Sequence, residues 1–231
     1  MCKMSKKIKV FIVGDSTAAE KITEKRPETG WGEMIHLFFN GKVEFKNHAV
    51  NGRSSKSFIE EGRLKEISDA ICSGDFMFIQ FGHNDEKDDI ERHTDPFTTY
   101  KDYISKYIEV AKSSGANPVL LTSIQRRVFN KNGTMPDTHG DYSIAMREVA
   151  RQFNLPLIDM QEKSKNYFEI IGEEKAKEIF LWVDASESLN YPEGKKDNTH
   201  FCENGAKKMA ELVVEGIIEN NIEPLSRFVK G

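Results

Sequence analysis

Residues 8–17, IKVFIVGDST, run from a short apolar stretch rich in β-branched side chains straight into a polar turn. A run this short and this apolar, without alternation, is the mark of a strand buried on both faces, as in a parallel sheet. Similar runs recur downstream. Residues 43–49 form a weaker candidate with Val43 and Phe45, residues 76–81 (FMFIQF) and 118–122 (PVLLT) are clear, and residues 155–158 are a short fifth. Between them lie helical patterns. Phe97, Tyr100, Ile104, Tyr107, Ile108 and Ala111 fall at steps of three or four, residues 141–153 form a second pattern, and Ala206, Met209, Ala210, Val213, Val214 and Ile217 form a third. Strands alternating with helices predict an α/β protein with a five-stranded parallel sheet covered on both faces, as one domain over residues 1–231. Two stretches lack periodicity, 123–140 and 182–199. They are expected as long loops at the carboxyl side of the sheet, where open α/β folds place their sites.

The composition narrows the function classes. The chain has 231 residues, with 38% hydrophobic and 30% charged, enough to bury a substantial core. Its 33 basic residues against 37 acidic ones give a net charge of -4, which argues against nucleic acid or an anionic membrane as the partner. Cys2, Cys72 and Cys202 are odd in number and widely spaced, so no disulfide framework is expected. The amino terminus, MCKMSKKIKVFIVGDS, has basic residues before an apolar run. Val10 to Val13 is shorter than the roughly seven apolar residues an export signal needs, and a cytoplasmic location is expected. No stretch approaches the roughly twenty apolar residues of a membrane span.

Four polar segments follow strands or precede the last helix. Gly14-Asp15-Ser16-Thr17 places a serine where a strand enters a turn; its hydroxyl could lie at a helix N-terminus, whose N–H groups favour an oxyanion, or it could simply cap that helix. Asn51-Gly52-Arg53-Ser54-Ser55 offers a glycine N–H that a ligand can approach closely, or an ordinary Asn-Gly turn. Gly82-His83-Asn84-Asp85 ends the strongest strand with a neutral amide donor, Asn84. A metal reading of His83, Asp85 and His93 lacks convincing ligand spacing. In Asp197-Asn198-Thr199-His200 the carboxylate, three residues ahead, can accept the histidine Nδ1–H and leave Nε2 as a base toward a serine. Alone, that segment also fits a helix cap.

Taken together, GDST, NGRSS, FGHND and DNTH resemble the SGNH (GDSL-type) hydrolase superfamily, in that family's order, over residues 14–200. GDSTAA, AVNGRSSKSF, the full FGHND and NGTMPDTHGDY (residues 132–142) are similar to the rhamnogalacturonan acetylesterase-like branch, carbohydrate esterase family 12. The resemblance implies a flavodoxin-like three-layer α/β/α fold and a serine esterase that removes acetyl groups from pectin-derived oligosaccharides. It implies Ser16 as nucleophile, His200 as general base and Asp197 as its orienting carboxylate. The Ser16 N–H, the Gly52 N–H and the Asn84 side chain would form the oxyanion hole, and neither metal nor organic cofactor is implied.

Several expectations remain beside this one. A lipase or thioesterase of the same fold would take longer acyl chains, and a non-catalytic carbohydrate-binding relative would have lost Ser16, Asp197 or His200, all of which are present. Small Thr17, Ala18 and Ala19 suit close packing or a small acyl pocket, with packing favoured. Arg53, Arg126 and Arg127 are candidates to pair with uronate carboxylates. The segment from Trp182 to Lys196 is expected to wall the substrate site, because it leads into Asp197.

Overall fold

The computed structural model describes residues 7–230. Cys2 and the other residues preceding Lys7 lie outside them. Strand β1 (Ile8–Gly14) leads through a turn to the short helix α1 (Trp31–Met34) and strand β2 (Val43–Asn47). Helices α2 (Ser55–Glu60) and α3 (Arg63–Ser68) precede β3 (Phe76–Gln80), and α4 (Thr99–Ser113) leads to β4 (Asn117–Leu121). Helix α5 (Asp141–Phe153), the two-residue β5 (Leu157–Ile158) and α6 (Met160–Ala176) follow, then β6 (Phe180–Val183), β7 (Lys195–Phe201) and α7 (Glu203–Glu219).

The five parallel strands stand in the order β2-β1-β3-β4-β5. Alternation along β1 explains the three layers, because successive side chains leave opposite faces of a strand. Val10 and Ile12 enter one core with Phe76, Phe78, Trp31 and the α7 residues Met209, Val213 and Ile217. Phe11 and Val13 enter the other with Met77, Ile79, the α4 residues Ile104, Tyr107 and Ile108, and the α5 residues Met146 and Val149. Chain order reverses at β1, which pairs with β2 on one side and β3 on the other. Crevices at such a switch point, beyond the strands' carboxyl ends, are where α/β sheets bind ligands.

The structure corrects the sequence reading in one region. Residues 182–199 are not a long loop: β6 and β7 pair as an antiparallel hairpin, with Phe180 opposite Phe201 and Trp182 opposite Lys196. Only residues 184–194 form its tip. Among the described residues, no helix is long and apolar enough to cross a membrane.

Candidate active site

Ser16 sits in the turn after β1, closed by bonds from the Ala18 and Ala19 N–H groups to the Asp15 carbonyl. No regular helix begins there, which corrects the helix-terminus and helix-cap readings of this serine. The turn is held instead by side chains. Asp15 Oδ1 accepts from the Thr17 N–H at 2.9 Å and from the Thr17 hydroxyl at 2.8 Å. Ala18 and Ala19 are buried, and a Cβ on Gly30 would lie 2.6 Å from the Ala18 carbonyl carbon. Ala18 and Ala19 thus lie packed beneath the Gly30 backbone.

Asp197 and His200 lie on β7 and not at a helix cap; the residue capping α7 is Cys202. Asp197 Oδ1 accepts from the Thr199 and His200 N–H groups at 2.8 and 3.0 Å, while Oδ2 lies 2.9 Å from His200 Nδ1. A carboxylate facing Nδ1 requires the hydrogen on that nitrogen, so Nε2 is the ring's acceptor. Nε2 lies 2.9 Å from Ser16 Oγ. Burial acts to raise the Asp197 pKa, but the His200 ring and the two N–H groups prevail and hold the carboxyl well below its ordinary range. Asp197 is thus an anion fixed against the imidazole, and the three side chains form one hydrogen-bonded line across 184 residues of chain.

The other two segments converge beside this line. Gly52 has φ +76°, in the left-handed region that favours glycine, and a Cβ there would meet nothing within 4 Å. Its turn is anchored by the Val50 N–H on the Gly14 carbonyl at 3.0 Å. Asn84 is buried and donates from Nδ2 to the Arg53 carbonyl at 3.1 Å, tying the end of β3 to the Asn51–Gly52 turn. One N–H of its amide remains for a ligand oxygen. Asp85, the next residue, accepts from the Ser55 N–H and hydroxyl and from the Thr94 hydroxyl. Burial pushes its carboxyl pKa up to about 7 against those bonds.

His83 is buried. Burial pushes its pKa well below the ordinary value, its ring stands edge-to-face on His139 with centroids 4.2 Å apart, and His93 is bonded at the surface to the Lys87 carbonyl. Among the described residues no three His, Cys, Asp or Glu side chains gather to hold a metal ion.

The arginines divide. Arg127 is corrected: its side chain is 5% exposed, and it donates to the Glu173 carbonyl and to Asn198 Oδ1, buttressing β7 from behind. Arg126 is engaged by Glu86 and by the Thr138 carbonyl. Arg53 pairs with Glu61 at 3.0 Å, but 34% of its side chain stays exposed, next to Gly52. The segment from Trp182 to Lys196 is the hairpin's end, leading into Asp197 on β7. Its tip clasps the chain after the Ser16 turn, with Asn190 Nδ2 donating to the Thr23 and Arg26 carbonyls, both at 2.8 Å, and the Tyr191 hydroxyl to the Lys25 carbonyl at 3.1 Å.

Sequence reasoning missed the buried supports. Gln80, at the end of β3, accepts from the Trp31 indole at 2.7 Å and donates to the Thr122 carbonyl at 2.9 Å, bracing the ends of β3 and β4 against α1. Lys21, with no exposed side-chain surface, was also missed. Neither carries a motif signal; only the three-dimensional arrangement reveals them.

The chain is 43% identical over 216 residues to rhamnogalacturonan acetylesterase RhgT of Bacillus subtilis (strain 168), covering 94% of this chain and 92% of that one. It is 26% identical over 229 residues to the rhamnogalacturonan acetylesterase of Emericella nidulans, covering 90% and 84%. Among solved structures, protein YxiM of Bacillus subtilis has a TM-score of 0.80 at 24% identity, covering 94% of this chain and 58% of that one. Axe2, an acetylxylan esterase from Geobacillus stearothermophilus, has a TM-score of 0.61 at 14% identity, covering 93% and 94%. These two share the three-layer fold. Residues 10–213 match the family described as GDSL-like Lipase/Acylhydrolase. Because that match begins inside β1 and ends inside α7, it takes in the sheet, the hairpin and all four polar segments, and the chain belongs to the GDSL-like lipase/acylhydrolase family.

Proposed function

We propose that this protein is a serine esterase that removes O-acetyl groups from pectin-derived, rhamnogalacturonan-type oligosaccharides through an acetyl-enzyme intermediate. The observation that carries the reading is the unbroken line from Asp197 through His200 to the Ser16 hydroxyl. In this reading His200 Nε2 takes the Ser16 proton as Oγ attacks the acetyl carbonyl. Asp197 keeps the ring in the required tautomer and stabilises the imidazolium that forms. The negative oxygen is met by the Ser16 and Gly52 N–H groups and the Asn84 amide, and one such donor is typically worth about 100-fold or more in rate. The intermediate collapses as His200 gives its proton to the departing sugar oxygen. Water, activated by the same base, then releases acetate and restores Ser16. The pectin-type substrate is supported by the two relatives named rhamnogalacturonan acetylesterase. In this reading Arg53, partly exposed beside Gly52, is the arginine assigned to a sugar carboxylate.

The test is acetate release from a panel of acetylated oligosaccharides, with wild type beside Ser16→Ala. Wild type should prefer the rhamnogalacturonan-type member, and Ser16→Ala should lose at least roughly 10⁴-fold in kcat. Undiminished hydrolysis by Ser16→Ala would sink the mechanism. In a p-nitrophenyl ester series, a preference for chains longer than butyrate would replace the acetylesterase reading with a lipase-type one.

A further inference from the structure

Lys21 lies five residues beyond Ser16, and its side chain has no exposed surface. Burying an ammonium is costly unless each of its hydrogens meets an acceptor. Here each one does. Nζ donates to the Ser16 carbonyl at 2.5 Å and to Asn51 Oδ1 at 2.6 Å, and lies 2.9 Å from Glu28 Oε1. Burial pushes the ammonium pKa down, and Glu28 works against that loss. The Lys21 backbone is anchored as well: its N–H donates to Glu33 Oε1 at 3.2 Å, and that oxygen also accepts from the Gly30 N–H at 2.9 Å.

An apolar side chain of similar volume could fill this space without the desolvation penalty. What only a three-donor cation supplies is a rigid tie between the two turns it touches. One carries Ser16 and the other carries Gly52, immediately after Asn51. The paired strands end before those two turns, and beyond the strands the Val50 N–H reaches the Gly14 carbonyl at 3.0 Å and Asn47 Nδ2 the Ala18 carbonyl at 2.8 Å. Lys21 adds the tie that joins the Ser16 carbonyl itself to the Asn51 side chain, directly beside both oxyanion donors. Such donors act only when held within about 0.5 Å of their working geometry.

We propose that Lys21 is a positioning residue, its buried ammonium locking the Ser16 turn to the Asn51–Gly52 turn and so fixing the geometry of the oxyanion hole. This rests on the reading of Ser16 as nucleophile given above, and the experiment separates the two. Lys21→Met removes the tie while nearly keeping the volume. Asn51→Ala, at an exposed position, cuts only the arm toward Gly52 and leaves Lys21 paired with Glu28. Each is measured for kcat and KM on p-nitrophenyl acetate, for melting temperature, and for inhibition by methylboronic acid. In the boronate adduct Ser16 Oγ bonds to boron and its proton passes to His200, which gives a tetrahedral anion shaped like the acetyl intermediate.

A misplaced oxyanion hole predicts a fall in kcat of roughly 10- to 100-fold with KM little changed. The boronate inhibition constant should rise by a similar factor in both variants, and Asn51→Ala, which leaves one Lys21 hydrogen to water at an exposed position, should lower the melting temperature only slightly. A purely structural role would lower the melting temperature and leave kcat and boronate affinity of the folded fraction intact. Asn51→Ala settles the matter even where Lys21→Met does not fold. If its kcat and boronate affinity stay within about twofold of wild type, the proposal is overturned. Ser16→Ala is run alongside: its full activity would refute the nucleophile itself, whereas its inactivity leaves the Lys21 result to stand or fall alone.

Discussion

Asp197 carries two jobs in one carboxylate, and its two oxygens keep them apart. Oδ1 folds β7 locally by accepting two N–H groups, and Oδ2 faces the His200 ring. Asp197→Asn should therefore keep the fold while presenting an amide to Nδ1 and favouring the wrong tautomer. We expect kcat to drop by roughly 10³- to 10⁴-fold with KM little altered, read as acetate release under saturating substrate. Asn84→Ala removes one oxyanion donor and should cost roughly 10²- to 10³-fold in kcat. It also frees the Arg53 carbonyl, so its melting temperature should fall slightly. These residues were legible in the sequence because each is part of a contiguous polar block directly after an apolar run. Lys21 and Gln80 were not. Nothing in AAEKITEK distinguishes the buried lysine from its exposed neighbour Lys25, since burial is decided by where the chain folds back.

The hairpin is the element that turns a sheet into this site. Its strand β7 carries both Asp197 and His200, but β7 belongs to neither the five-stranded sheet nor its core ladder. It is held by its pairing with β6, by Arg127 behind Asn198, by the Phe201 carbonyl accepting from the Thr29 N–H at 2.9 Å, and by the tip's grip on residues 23–26. The tip should consequently matter for activity although it touches no reacting atom. Asn190→Ala combined with Tyr191→Phe removes three hydrogen bonds to the segment after Ser16. We expect kcat to fall several-fold and cleavage by a protease at the tip to accelerate; unchanged kcat would confine the tip to a stabilising role. The five sheet strands and three of the helices were legible because burial leaves a periodic trace. In KKDNTHF no such trace exists: the strand is mostly polar and half-exposed, and cross-strand hydrogen bonding defines it where hydrophobic pattern does not. Helix α6 was hidden for a related reason, being rich in charge and interrupted at Gly172, whose φ is +81°.

Across the whole molecule, the switch point gathers polar groups that a core would otherwise exclude, and their titration should shape stability against pH. Asp15 and Asp85 are buried beneath the site, and burial raises both carboxyl pKa values, that of Asp85 to about 7. A folded-state pKa raised above the unfolded one means that the folded protein holds the proton longer. Stability from this source is full below about pH 4 and is lost as pH rises toward and through 7. Two histidines, half-buried His48 and buried His83, act in the opposite sense at lower pH. His48 and His83 have pKa values pushed down by burial, so the unfolded chain binds protons that the folded one refuses, and stability climbs with pH until about 6.5. Asp197, with its carboxyl held low, adds stability present above about pH 4 and lost as pH falls further. Toward pH 8 the histidine and Asp197 contributions level off, and the falling slope comes from the raised carboxyls, Asp85 together with Asp15. The melting temperature should peak near pH 6 and decline by roughly 2–3 °C between pH 6.5 and 8. Asp85→Asn keeps an acceptor for Ser55 and Thr94 but cannot ionise, so its curve should fall less steeply than wild type over that interval. A wild-type curve no steeper than the variant's from pH 6.5 to 8 would mean that Asp85 ionises in the folded protein near its ordinary value, with the Ser55 and Thr94 bonds fully offsetting its burial.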